Sequence, residues 1–99
     1  MAQNCNAEEY RKSPYAGTWY PGKEKDLQEV IKTYLKNAKA RISGEIYSLI
    51  SPHAGYMYSG PFAAFGYKLL ENKEFDNVIV IGPSHRYGFY GLSVDKMAG

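Results

Sequence analysis

Two short stretches of this 99-residue chain each contain one of its two histidines. His53 follows Ser51-Pro52, and His85 follows Gly82-Pro83-Ser84. Neutral imidazole is a common ligand of zinc, copper, iron and nickel, so two histidines supply two ligands of a facial metal site or half of a tetrahedral one. Acid–base chemistry is a second interpretation, with one imidazole removing a proton and the other polarising a carbonyl. In a third, each histidine caps its own loop by hydrogen bonding.

Each histidine comes shortly after a predicted β-strand. Residues 46–50 and 78–81 are rich in β-branched and aromatic side chains and are followed closely by Pro or Gly, which is typical of strands. Residues 60–71 between them have apolar side chains near helical spacing. A strand–helix–strand crossover nearly always joins parallel strands, whose carboxyl ends share the sheet edge where ligands bind. His53 and His85 are therefore predicted to face one cleft.

Four further side chains near the histidines are candidates for lining that cleft. Tyr56 and Tyr58 each combine an apolar ring with a hydroxyl, which suits a binding wall. Ser84 offers a hydroxyl beside His85, and the Arg86 guanidinium can hold a carboxylate through two hydrogen bonds. The alternative for each is an ordinary packing or surface role. This set of residues indicates either a metal centre or a cleft for a small anion or a peptide.

Composition narrows the class of protein. The net charge is +2, and the lysines are interleaved with acidic residues, which argues against a nucleic-acid partner. No apolar stretch approaches the length of a membrane span, and the N-terminus has no hydrophobic signal core. The single Cys5 cannot form an internal disulfide, which agrees with a reducing compartment. A cytoplasmic protein without a membrane partner is expected.

The rest of the chain is predicted to frame the two strands. Residues 1–13 are polar and non-periodic, so they are interpreted as an N-terminal arm. Residues 13–22 hold two prolines and two glycines around Trp19, which is typical of a loop with aromatic anchors. Residues 23–39 have the apolar spacing of an amphipathic helix. Residues 14–99 are expected to form one α/β domain that is incomplete at its C-terminus, because no closing helix follows residues 92–94.

Three motifs carry a resemblance to a known family. They are Ala-Gly-Thr-Trp-Tyr at 16–20, Ser-Pro-His-Ala-Gly-Tyr-Met-Tyr-Ser-Gly at 51–60, and Ile-Gly-Pro-Ser-His at 81–85. In this order they resemble the N-terminal motifs of the Memo family. That family includes the animal mediator of ErbB2-driven cell motility and the archaeal and bacterial proteins known as AmmeMemoRadiSam system protein B. The resemblance extends from about residue 14 to the end of the chain.

The resemblance implies a β-α-β portion of a mostly parallel sheet with flanking helices, similar to the class III extradiol dioxygenases. Their non-haem iron is held by two histidines and a carboxylate. On the family pattern, His53 and His85 match two metal-site histidines, with iron or copper as the metal. The family's third ligand belongs to a later part of a longer chain, and Asp95 is a possible substitute. The animal protein has a histidine where this chain has Tyr15, so a cleft role does not carry over to that position.

Three hypotheses about function follow. In the first, the chain is at most a non-haem metal-dependent oxidoreductase of the dioxygenase-like class. In the second, the same cleft binds a small anion or a phosphopeptide without metal, as the animal protein is proposed to bind phosphotyrosine peptides. In the third, the chain is a fragment, inactive alone, that needs a second chain to complete its fold. An exposed edge on its last strand would then favour association with another polypeptide.

Overall fold

A computed structural model describes residues 11–94 of the chain, so most of the predicted N-terminal arm, Cys5 and Asp95 lie outside the described residues. Two compact units are distinguished, and Pro14–Glu74 forms one of them. Residues 75–94 belong to the other, together with the described residues that precede Pro14. Neither helix within residues 11–94 is long and apolar enough to cross a membrane.

Helix α1 (Glu24–Asn37) confirms the amphipathic helix predicted over residues 23–39. Glu24 and Asp26 lie in its first turn and Lys36 in its last turn, so their charges oppose the partial charges of the helix dipole. The Ala38 amide closes the helix by donating to the Tyr34 carbonyl at 3.0 Å. Its apolar face is half-buried through Leu27, Val30, Tyr34 and Leu35.

Helix α2 (Tyr56–Lys68) confirms the helix predicted over residues 60–71 but begins earlier. The apolar side chains at helical spacing begin with Phe62, so the prediction placed the start close to Gly60. In the structure the first turn forms at Tyr56, because its amide donates to the Trp19 carbonyl at 2.7 Å and is satisfied outside the helix. Pro61 therefore lies inside α2, where it lacks the amide that would donate to the Met57 carbonyl.

Small side chains on α2 allow it to pack closely against its neighbours. Helix α1 packs against α2. A Cβ atom added to Gly60 would lie 2.5 Å from the Tyr34 ring, so this close contact requires glycine. Gly66 likewise lies against the Leu49 side chain. Ala64 in the middle of α2 is 4 % exposed. The core of the Pro14–Glu74 unit is therefore a close contact between two helices and the segment that joins them.

The two predicted strands form no sheet within residues 11–94, where the structure contains an isolated bridge between Ala16 and Tyr20 and no strand. In the segment 46–50, Ile50 is 99 % exposed, and every side chain of the run 78–81 is at least 75 % exposed. A strand is stabilised by hydrogen bonds and side-chain contacts from neighbouring strands. The predicted β-α-β sheet, and with it the likeness to the extradiol dioxygenases, stays a prediction.

Candidate functional site

The Pro14–Glu74 unit contains a pocket with a volume of about 570 Å³. Its walls come from four parts of the unit: the 15–20 loop, α1, the segment 51–54 and α2. Six aromatic side chains contribute to the lining: Tyr15, Trp19, Tyr20, Tyr34, Tyr56 and Tyr67. A cavity of this size with mainly aromatic and aliphatic walls is typical of small-molecule sites.

The 15–20 loop, which confirms the aromatic loop predicted over residues 13–22, is folded tightly around one carbonyl. The Tyr15 carbonyl accepts hydrogen bonds from the Thr18 amide at 3.0 Å, the Trp19 amide at 2.9 Å and the Thr18 hydroxyl at 2.9 Å. The Gly17 amide donates to the Tyr20 carbonyl at 2.8 Å. Gly17 has φ +83°, a conformation that glycine adopts without a steric penalty. This turn brings Tyr15 and Trp19 to the same wall of the pocket.

Two aromatic pairs shape that wall. The Tyr15 and Trp19 ring centroids lie 4.9 Å apart with planes tilted by 49°. Tyr20 and Tyr56 form a second pair at 5.4 Å and 41°. Tilted pairs at these distances are favoured by the ring quadrupoles. The second pair links the 15–20 loop to α2, so the pocket wall consists of rings that hold one another in place and suits a planar or aromatic ligand.

His53 also lines this pocket, in the segment that leads into α2. The backbone just after it is fixed by α2: the buried Ser59 hydroxyl donates to the Ala54 carbonyl at 2.9 Å. The Gly55 carbonyl accepts from the Tyr58 amide at 2.9 Å and from the Ser59 amide at 3.1 Å. The imidazole is therefore carried on a short segment tied to the first turn of the helix.

Replacing Ser59 by alanine is expected to destabilise the unit by about 1–2 kcal/mol, because it leaves the Ala54 carbonyl without its side-chain donor. Chemical denaturation followed by far-UV circular dichroism measures the change. Ser51→Ala is a matched control, since the Ser51 hydroxyl makes a longer, exposed bond of 3.3 Å to the Pro52 carbonyl. An equal effect of the two substitutions would mean that Ser59 does not secure the segment after His53.

His85, Ser84 and Arg86 lie in the second unit and are exposed. The Ser84 hydroxyl donates to the Tyr87 carbonyl, and the Tyr87 amide approaches the same hydroxyl at 3.4 Å. These contacts close a turn that has His85 and Arg86 at its centre. Ser84 therefore has a structural role in this turn, in addition to the cleft role predicted for it.

The structure brings together part of the predicted site. His53 and Tyr56 share the pocket, whereas Tyr58 is 70 % exposed on α2 and does not line it. Since His53 and His85 belong to different compact units, their convergence stays a prediction. Among residues 11–94 no group of three or more His, Cys, Asp or Glu side chains is arranged to hold a metal ion.

Several pocket residues were not predicted from the sequence. Tyr15 was set aside because the resemblance assigned it no role, yet it forms part of the wall. Tyr34 and Tyr67 occupy helix positions that read as ordinary packing residues. The signal that could have identified them is the dense spacing of tyrosines around the Trp19 loop and on the facing helices. An aromatic side chain that packs in the core and also lines a pocket has the same sequence spacing as one that only packs in the core.

One titratable side chain is perturbed in the segment that joins the helices. The Tyr47 hydroxyl donates to the Glu45 carboxylate. This bond to a negative charge raises the pKa of Tyr47 above its usual value. Tyr47 is exposed and does not line the pocket.

The Pro14–Glu74 unit thus contains a pocket that is lined by aromatic side chains and by His53. The model of the Memo-like protein family matches residues 11–98. This chain therefore belongs to the Memo family.

Individual relatives agree with this assignment. The chain is 37 % identical over 94 residues to the protein memo-1 homolog of Caenorhabditis elegans. That alignment covers 95 % of this chain and 27 % of the relative. It is 40 % identical over 80 residues to a MEMO1 family protein of Nitrosopumilus maritimus, covering 76 % of this chain and 29 % of that protein. The chain is 36 % identical over 83 residues to the MEMO1 family protein MHO1 of Saccharomyces cerevisiae, and the alignment covers 80 % of this chain and 24 % of that protein. The chain thus spans less than a third of each of these relatives. No solved structure matches the chain significantly.

Proposed function

We propose that His53 and His85 supply two ligands of an iron or copper centre with a redox role of the non-haem dioxygenase-like kind. The observation that carries the proposal is the position of His53, which lines an aromatic pocket and precedes Ala54, whose carbonyl accepts a hydrogen bond from Ser59 of α2. The turn around His85 presents the second imidazole. A third ligand would complete the facial site, and no cluster of three such side chains within residues 11–94 identifies it.

When bound, iron or copper supplies Lewis acidity and one-electron chemistry. The residues of this chain would perform two tasks around it. The two imidazoles would provide nitrogen ligands, which suit both metals. The Tyr15–Trp19 and Tyr20–Tyr56 pairs, which line the same pocket as His53, would offer flat surfaces to a ring-containing substrate. The enzyme class would be a non-haem metal-dependent oxidoreductase.

Metal titration tests this proposal. Trp19 is the single tryptophan of the chain and lines the same pocket as His53, so its fluorescence reports on binding there. We expect stoichiometric binding of copper or ferrous iron under anaerobic conditions. His53→Ala and His85→Ala should each weaken binding by about 100-fold, since loss of even a supporting partner of a ligand costs roughly 10- to 100-fold. Arg86→Ala is the matched control, because it truncates the neighbour of His85 and leaves both imidazoles. Unchanged affinity in either histidine variant would refute the two-histidine centre.

A second candidate function is metal-independent binding of a small anion or a phosphopeptide. The aromatic wall favours it, because paired rings form a ready platform for the ring of a phosphotyrosine side chain. Titration with phosphotyrosine in the presence of EDTA separates the two functions. Here Tyr56→Leu and Arg86→Ala should weaken binding while His85→Ala has little effect, which is the reverse of the pattern expected for the metal. A flat Trp19 signal with phosphotyrosine, phosphopeptides and small carboxylates would remove this candidate.

A further inference from the structure

The rings of Tyr15 and Trp19 form a contact pair in the wall of the pocket. Their centroids lie 4.9 Å apart, with planes tilted by 49°. Both side chains line the pocket, and they are 47 % and 48 % exposed, respectively. The Trp19 amide donates to the Tyr15 carbonyl at 2.9 Å, so the turn also holds the two backbones together. The pair therefore combines ring contact with access to both the pocket and water.

The chemistry of the two rings gives this contact a direction. Indole and phenol side chains each lose a single electron more readily than aliphatic side chains do. At neutral pH the tyrosyl radical is the more stable of the two products, because the phenol releases its proton when it loses an electron. Water reaches the half-exposed Tyr15 and can accept that proton. Electron transfer between rings in contact is fast, so a radical formed on Trp19 is expected to move to Tyr15.

We infer that Trp19 and Tyr15 form a radical relay that removes oxidising equivalents from the pocket. In the first step a radical oxidant derived from a peroxide takes one electron from the Trp19 indole, whose N–H proton passes to water. In the second step the Tyr15 phenol gives one electron to the indolyl radical and its proton to water, while the indole nitrogen regains a proton from water. A soluble thiol then donates a hydrogen atom to the Tyr15 oxygen and leaves as a thiyl radical.

The source of the oxidant rests on the redox function proposed above, because one-electron chemistry of iron or copper with peroxides generates radicals. His53 lines the same pocket as Trp19, so its imidazole is open to attack by the same oxidant. A relay that accepts the oxidising equivalent first would protect that imidazole. The step from Trp19 to Tyr15 needs no metal, however, and is tested on the metal-free chain.

Pulse radiolysis of the full 99-residue chain, after removal of metal with EDTA, tests the relay. The azide radical oxidises tryptophan in preference to tyrosine, and Trp19 is the single tryptophan, so oxidation begins at one known residue. The absorbance bands of the indolyl and tyrosyl radicals are recorded separately over time. We expect the tyrosyl signal to grow as the indolyl signal decays, with one shared rate constant that does not depend on protein concentration.

Tyr15→Phe keeps the ring next to Trp19 and removes the oxidisable phenol, so it should slow decay of the indolyl radical at least tenfold. Tyr20→Phe is the matched control. Tyr20 is the neighbour of Trp19 in the chain, but its ring pairs with Tyr56, so this change should leave the rate constant as it is. Far-UV circular dichroism should be the same for both variants. As a second measurement, a spin trap added to the oxidised wild-type chain should be found on Tyr15 by peptide mass spectrometry.

Three outcomes would overturn the inference. The first is an indolyl radical that decays as fast in Tyr15→Phe as in the wild-type chain. The second is an equal or larger slowing in Tyr20→Phe, which would make Tyr20 the acceptor. The third is a rate that rises in proportion to protein concentration, which would mean transfer between molecules. A chain that binds no iron or copper but transfers the radical as expected would reject the metal centre and support the transfer step, so the two failures are distinguishable.

Discussion

Replacing Gly60 by valine is expected to lower the free energy of unfolding of the Pro14–Glu74 unit by about 1–3 kcal/mol, the usual cost of overpacking a contact. A Cβ atom at this position would lie 2.5 Å and 2.9 Å from two atoms of the Tyr34 ring. The ring belongs to the contact between α1 and α2 and also lines the pocket, so it must move or the helices must separate. Urea denaturation followed by far-UV circular dichroism measures the loss.

A double-mutant cycle provides the control for Gly60→Val. Tyr34→Leu shortens the side chain that the new methyl groups would meet, and the combined variant should recover a part of the loss. Coupling between residues in direct contact is about 0.5–3 kcal/mol. Gly82→Val reports the effect of the same substitution in open space, since a Cβ atom there meets nothing within 4 Å. Purely additive effects of the Gly60 and Tyr34 substitutions would show that the two residues do not limit the helix contact.

Ala64→Asp is expected to have the largest effect on stability, about 3–5 kcal/mol, because it introduces a carboxylate without a partner into a buried position. Ala64 is 4 % exposed near the middle of α2. Burial raises the pKa of such a carboxyl group. The cost of burying its negative charge therefore lowers stability at pH values above the pKa of the folded state. As the pH falls through that raised value the group becomes neutral, and the deficit relative to the unsubstituted protein should shrink.

The same urea titrations at pH 7 and near pH 4 measure the effect of Ala64→Asp. Phe62→Asp is the matched control, since it puts the same charge on the same helix at a position that is 71 % exposed. We expect the control to lose much less stability and to show little dependence on pH. A small, pH-independent effect of Ala64→Asp would mean that this face of α2 is open to water.

Both helices were predictable from the sequence because their signals are local. Apolar side chains recur at helical spacing in each, and α1 has Glu24 and Asp26 in its first turn and Lys36 in its last. The start of α2 was not predictable, because it depends on the hydrogen bond from the Tyr56 amide to the Trp19 carbonyl. That contact joins residues far apart in sequence, and local propensity carries no information about it. The two predicted strands would depend on neighbouring strands in the same way.

The candidate site was predictable to a similar extent. His53 and Tyr56 were identified because a histidine after a predicted strand has a recognisable context. Tyr15 and Tyr34 were missed because the pocket wall depends on how the 15–20 loop and α1 fold onto α2. Tyr58 was included, like Tyr56, because its ring and hydroxyl suit a binding wall. On a helix, however, residues two apart point in different directions, so Tyr58 lies on the exposed side.

The proline inside α2 has a consequence for hydrogen exchange. Pro61 has no amide proton, and the Met57 carbonyl has no donor four residues along the helix. The turn before the proline is instead bonded to the Trp19 loop through the Tyr56 amide. In local fluctuations the amides of this turn and of that loop would become accessible to solvent together, while the later turns of α2 remain protected. Hydrogen exchange is therefore expected to separate the first turn of α2, which follows His53, from the later turns of the helix.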